Sequence, residues 1–211
     1  MAQVDALSGV IADALCVSAL AAWLVPDASE RAGLLRAYAR LLLDAGMRSG
    51  QVHATAGEAA VSVWYERRVS RKAAGTNADE LRTALGRRAD RFVYLHTCLD
   101  AILPQEPHAY LSILGVRPGY ENAAVALLEH RHRLLDTVGQ PAYTTIVTAQ
   151  PRESLFTQLG YVPRSPMQLE RAGPTLWRMW RSPQSERDGL FPHRARLHQV
   201  TPLQWGRYAA R

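Results

Sequence analysis

Apolar positions recur at helical spacing through residues 4 to 22 and again through 28 to 46, where Asp27 and Glu30 stand as a capping box before "LLRAYARLLL". "WLVP" marks the turn between these two predicted helices. The period then changes. "QVHATAGEAAVSVWY" alternates apolar and polar residues around Gly57, the pattern of a β-hairpin. Asn77 and Glu80 open a third helical stretch that the pattern carries as one element to Leu103.

"HAYLSILGV", residues 108 to 116, alternates again, with His108, Tyr110 and Ser112 on one face and Ala109, Leu111 and Ile113 on the other. This predicts one dry face and one face turned outward. Ala124, Leu127, Leu128, Leu135 and Val138 then follow helical spacing, and "GQPAYTTIVTA" returns as a strand. A strand, helix, strand crossover of this length predicts two parallel strands. A short helix at "RESLFTQL", a turn at Gly160 and strands at "YVPRSPMQLER" and "TLWRMWR" complete a mixed sheet. The expected class is therefore α/β, with a mixed, mostly antiparallel sheet flanked by helices.

With 211 residues, 47% of them apolar and 21% charged, the chain fits one domain and no disordered tract. We expect a domain over residues 1–181 and a basic C-terminal extension over 182–211, which carries five arginines against two acids. The apolar stretch at 10 to 25 is too short for a span, holds Asp13 and lacks a basic flank, so a soluble, cytoplasmic protein with no membrane partner is expected. Cys16 and Cys98 lie in apolar helical patterns and read as free thiols.

The net charge of +6 suits a polyanionic partner. Between residues 66 and 91 eight basic residues face four acids; Arg67, Arg68, Arg71, Lys72, Arg87 and Arg88 are the candidate nucleic-acid contacts. Lys72 is the sole lysine, so arginine-rich composition explains the charge equally well. The seven histidines show no ligand spacing with Cys or acids, and "HRH" at 130 to 132 splits its imidazoles between helix faces. No metal is expected.

The order of these elements, with "PHAYLSILGVRPG", "QPAYTTIVTAQPRESLFTQLGYV" and "LWRMWR", resembles the GNAT family of acyltransferases, in its actinobacterial small-molecule type, over about residues 10 to 181. The resemblance implies a sheet splayed at its two parallel strands, between Ile113 to Val116 and Tyr143 to Val147, with acyl-CoA in the wedge. Leu114, Gly115, Val116, Asn122, Ala123, Ala124 and Phe156 are then the donor-binding candidates. In two places the chain departs from the family. Where the family has an Arg/Gln-x-x-Gly-x-Gly/Ala pattern the chain has Glu121, Asn122, Ala123 and Ala124, which puts an acid where phosphate oxygens would go. Where the family's tyrosine protonates the leaving thiolate stands Phe156.

His108, Tyr110 and Ser112 are the candidates for positioning or deprotonating an amine. The expected function is amide formation on a small-molecule amine, as in secondary-metabolite biosynthesis. No cofactor is held permanently; the co-substrate is acyl-CoA or an aminoacyl-tRNA, since an ester on a terminal ribose has its own 2′-hydroxyl to relay a proton. The alternative is a degenerate, non-catalytic fold serving as a binding module. Trp23, Trp64, Trp177, Trp180 and Trp205 read either as core or as the surround of a pocket.

Overall fold

A computed structural model describes residues 2–68, 75–170 and 172–185. Arg71, Lys72, Trp205 and most of the C-terminal extension lie outside the described residues. Three helices open the chain: α1 (Ala2–Cys16), α2 (Ala19–Leu24) and α3 (Ala28–Ser49). The single helix expected over 4 to 22 is thus two. Ser18 ends the first by donating from Oγ to the Leu15 carbonyl (2.6 Å) and starts the second by accepting from Ala21 N–H (3.1 Å). A serine that offers the backbone such partners favours a cap over a helix interior.

The hairpin forms as the alternation requires, with β1 (Gln51–Ala54) and β2 (Ala60–Arg67) antiparallel and Gly57 at φ +80° in the loop. The long third helix does not form. Instead α4 (Ala78–Leu85) stops at Gly86, φ +55°, a 3-10 turn covers Gly86–Arg88, and α5 (Asp90–Ala101) resumes the apolar face. Glycine reaches that left-handed region without the cost a Cβ would add. Of the two capping boxes, only Asn77 and Glu80 close reciprocally. Asp27 caps through Ser29 N–H (2.9 Å), while Glu30 turns away to pair with Arg88 (2.7 Å).

Then follow β3 (His108–Val116), α6 (Glu121–Thr137), β4 (Ala142–Val147), the short α7 (Leu155–Gln158), β5 (Val162–Gln168) and β6 (Thr175–Arg181). The six strands lie in the order β1-β2-β3-β4-β6-β5, antiparallel except for β3 with β4. Pro163 and Pro166 sit on edge strand β5, where a missing N–H removes no ladder bond, and the register slips between them. One core packs α1 to α5 on the first face of the sheet, around Ile11, Leu35, Leu43, Val63, Phe92 and Tyr143. The other packs α6 and α7 on the second face, around Trp64, Leu111, Leu128 and Met179.

The outward polar face expected for β3 is a correction. His108 and Tyr110 are buried, because α1 to α5 cover that face. Nor does the alternation run unbroken. Val63 pairs with Ile113 but Trp64 pairs with Leu111, so Ser112 is an extra residue, a β-bulge. Past the bulge the faces exchange: Ile113 joins the core of Tyr110, and Leu114 joins that of Leu111. The four described tryptophans are packing residues. Trp23 and Trp64 are buried, Trp177 and Trp180 half-buried, and none of these four lines the cavity described next.

Candidate active site at the strand fork

Parallel β3 and β4 pair over only three rungs, Ala109 with Ala142, Tyr110 with Tyr143 and Leu111 with Thr144. Beyond them β3 continues to Val116 with β2, and β4 continues to Val147 with β6, so the two strands part while each keeps its outer neighbour. The Ser112 bulge bends β3 where the separation begins. At the last rung the Thr144 hydroxyl, buried, donates to the Leu111 carbonyl (2.9 Å). The fork thus has a pinned vertex and two open arms.

A cavity of about 290 Å³ occupies it. Ser112, Ile113 and Leu114 line it from β3, Thr144 to Val147 from β4, and Phe156 from α7. On the side of α1 to α5 it is lined by Leu15, Leu20, Leu42, Leu95 and Leu99, with Ser18, Tyr38, Tyr65, Arg67, Thr76, His96, Asp100 and Tyr110 among the polar groups. A largely apolar cleft with a few convergent polar groups is the usual form of a small-molecule site.

Tyr110 is the centre of this polar set. Burial pushes its phenol up, while the Arg67 charge and the neighbouring hydroxyls of Ser112 and Thr145 oppose that shift. The Arg67 guanidinium lies 5.4 Å from its ring centroid. Next to it, the Tyr38 hydroxyl and His96 Nε2 are 2.9 Å apart, and burial lowers the imidazole to about 4, so His96 is neutral near pH 7. Tyr65 is pushed up to about 12 by burial. Asp100, at the rim, is raised by partial burial and pulled back by Arg67.

The predicted residues divide. Tyr110, Ser112, Leu114, Phe156 and Arg67 meet around the cavity. His108 does not line it: its Nδ1–H donates to the Glu106 carbonyl (2.7 Å), its Nε2 has no hydrogen-bond partner, and its ring packs edge-on to Tyr143 at 5.3 Å. Burial lowers its pKa. Gly115 and Val116 are paired to Val61 and Ala60, and a Cβ at Gly115 would stand 2.9 Å from Ile11 Cα, so that glycine serves the packing of α1 on the sheet.

After β3 the chain turns at Gly119, φ +82°, and its N–H donates to Glu121 Oε1 (3.1 Å) at the start of α6. Asn122 is exposed, Ala123 half-buried and Ala124 buried in the α6 packing face. Of the candidate nucleic-acid contacts, Arg67 faces the cavity, Arg68 and Arg87 are exposed, and Arg88 is paired with Glu30. Asp100, His96, Tyr38 and Tyr65 escaped the sequence reading. His96 and Asp100 at i and i+4 on an otherwise apolar helix face were the one local signal.

A mixed sheet split at one parallel pair, with a helix crossing between the parted strands, defines a GNAT-like fold. A solved structure agrees. The protein is similar to an acetyltransferase of Corynebacterium glutamicum, described as histone acetyltransferase HPA2 and related acetyltransferase, with a TM-score of 0.62 and 18% identity over 87% of this chain and 92% of that one. A more distant match is Naa20 of Chaetomium thermophilum in complex with a bisubstrate analogue, with a TM-score of 0.41 and 12% identity over 68% of this chain and 70% of that one. No protein-family model matches the sequence, and no curated protein does. Among the described residues no helix is long and apolar enough to cross a membrane, and no group of three or more His, Cys, Asp or Glu residues is placed to hold a metal ion.

Proposed function

We propose that the protein is an N-acyltransferase that forms an amide on a small-molecule amine, using the strand fork to align an activated acyl carbonyl with that amine. The observation that carries this is the fork itself: two parallel strands that part after Leu111 and Thr144 and enclose a cavity reached by hydroxyls and ionisable groups. Alignment of reacting groups accounts for much of the barrier in acyl transfer, and unpaired main-chain groups on parted strands suit a developing oxyanion. The acyl donor enters along Leu114, Ile146 and Phe156, and the amine from the side of Tyr38, Arg67 and Asp100.

In the reaction the amine nitrogen attacks the acyl carbonyl, the N–C bond forms and the bond to the leaving sulfur or oxygen breaks. Of the two protons an ammonium must lose, one goes to Asp100, whose raised pKa suits a base, and the other to the leaving group through the Tyr110, Ser112 and Thr145 hydroxyls. Phe156 donates no proton, so any acid help from the protein comes only through those hydroxyls, and a leaving group that needs little help or carries its own hydroxyl suits the site. His108 remains a positioning candidate through its contact with Tyr143.

Two donors satisfy this. The first is an acyl-CoA, whose thiolate leaves with little acid help. The second, an aminoacyl-tRNA, is favoured by the turn, because Glu121 occupies the Gly119 N–H and places a carboxylate where a diphosphate would dock. The test is transfer from acetyl-CoA and from charged tRNA to an amine panel, read by mass spectrometry. Product from acetyl-CoA with no tRNA requirement selects the first donor, and product from charged tRNA alone selects the second. No product from either ends the transferase reading.

A further inference from the structure

Resting on the transferase reading, we infer that the acceptor is an amine that also carries a carboxylate beside an apolar body, an amino-acid-like zwitterion, and that Arg67 is its carboxylate clamp. Among the described residues the two buried arginines each hold a carboxylate. Arg131 is buried and holds Glu66 at 2.7 Å. Arg181 is buried and holds Asp136 through two bonds of 2.9 and 2.7 Å. A guanidinium withdrawn from water needs such an anion. Arg67 is half-buried against the cavity, and among the described residues it enters no ion pair.

The missing anion has a place to sit. Arg67 lines the cavity, and the opposite charge that feels it, Asp100, is on the same rim without forming an ion pair with it. A cation and an anion held apart in one cleft match the two charges of a zwitterion. Tyr110 connects this end to the fork, with Arg67 over its ring and its hydroxyl among Ser112 and Thr145. A carboxylate on Arg67 therefore leaves an amine on the same small molecule within reach of the parted strands. Leu15, Leu20, Leu42, Leu95 and Leu99 supply a wall for an apolar side chain and offer no partner to a polar one. Arginine suits a carboxylate because its planar fork donates in two directions at once.

The experiment uses the full chain and reads binding separately from transfer. Calorimetry with L-leucine and L-phenylalanine, their methyl esters and their decarboxylated amines should show the acids binding about tenfold or more tightly than either neutralised series. Arg67→Gln should abolish that preference without changing affinity for CoA, and Arg67→Lys should restore part of it, which also reports that the variants fold. Esters or amines that bind as tightly as the acids, a panel in which nothing binds, or an Arg67→Gln that weakens CoA and not the acids would each overturn the inference. Acid binding that depends on Arg67 but yields no product from acetyl-CoA or charged tRNA would sink the transferase reading alone. Transfer to plain amines with no gain from a carboxylate would sink the clamp alone.

Discussion

The fork and the turn that follows it belong to one continuous stretch of chain, and they have opposite characters. At the fork, two strands stop pairing, the side chains of Ser112 and Thr145 gather near Tyr110, and Arg67 lines the cavity with no ion pair among the described residues. At the turn, the amide of Gly119 is already taken by the chain's own Glu121. The first region is open to a ligand and the second is closed by its own side chain. The difference teaches that aligning a carbonyl with an amine, and gripping a donor by its diphosphate, are separable tasks in this architecture. A bulge and three rungs of pairing produce the one; the other needs free amides at a helix start.

Plugging the open region should have the largest effect. Ser112→Phe, which drives a ring between the parted strands, should lower turnover about a hundredfold while circular dichroism stays unchanged, because near-ångström misplacement costs that much. Unaltered turnover would remove the fork from the chemistry. The next effect concerns the dry side of the cavity. His96 is held neutral at about 4, below its unfolded value near 6.5, so the unfolded chain binds its proton first. Stability is therefore full above pH 6.5 and is lost as pH falls toward 4, by about 2 kcal/mol between pH 7 and pH 5. His96→Gln keeps a partner for Tyr38 and should flatten this acid limb in denaturant titrations at the two pH values.

At the closed region the expected gains are smaller. Glu121→Gln removes the carboxylate from the start of α6, and calorimetry should find CoA bound about fivefold more tightly, the effect of one charge near a helix terminus. An unchanged dissociation constant would mean that no diphosphate rests there. Phe156→Tyr places a hydroxyl at the cavity wall and should raise turnover about threefold or less with a thioester donor, since a thiolate needs little acid help. A much larger rise would make proton delivery the limiting step.

Much of the architecture was legible along the chain. The parallel pair followed from the spacing of "HAYLSILGV", the α6 stripe and "AYTTIV", and the hairpin from the alternation about Gly57, because period and turn chemistry are local. The helix breaks at Ser18 and Gly86 were not read, because apolar spacing runs through both, although a serine cap and a glycine stop are their local causes. The bulge at Ser112 was not legible, since it exists only in the register of β3 against β2, and with it went the true faces of Ile113 and Leu114.

By itself, then, the amino-acid order determined the succession of helices and strands, the one parallel crossover, and the acid at the head of α6. Only the tertiary structure decided that Arg67 faces a cavity instead of a charged surface, that His108 is packed away from it, and that Tyr38, His96 and Asp100 converge there from α3 and α5. The reason is physical: hydrogen-bonded periodicity and capping are settled within a few residues, whereas the field and burial around a side chain are set by elements far away in the chain that pack against it.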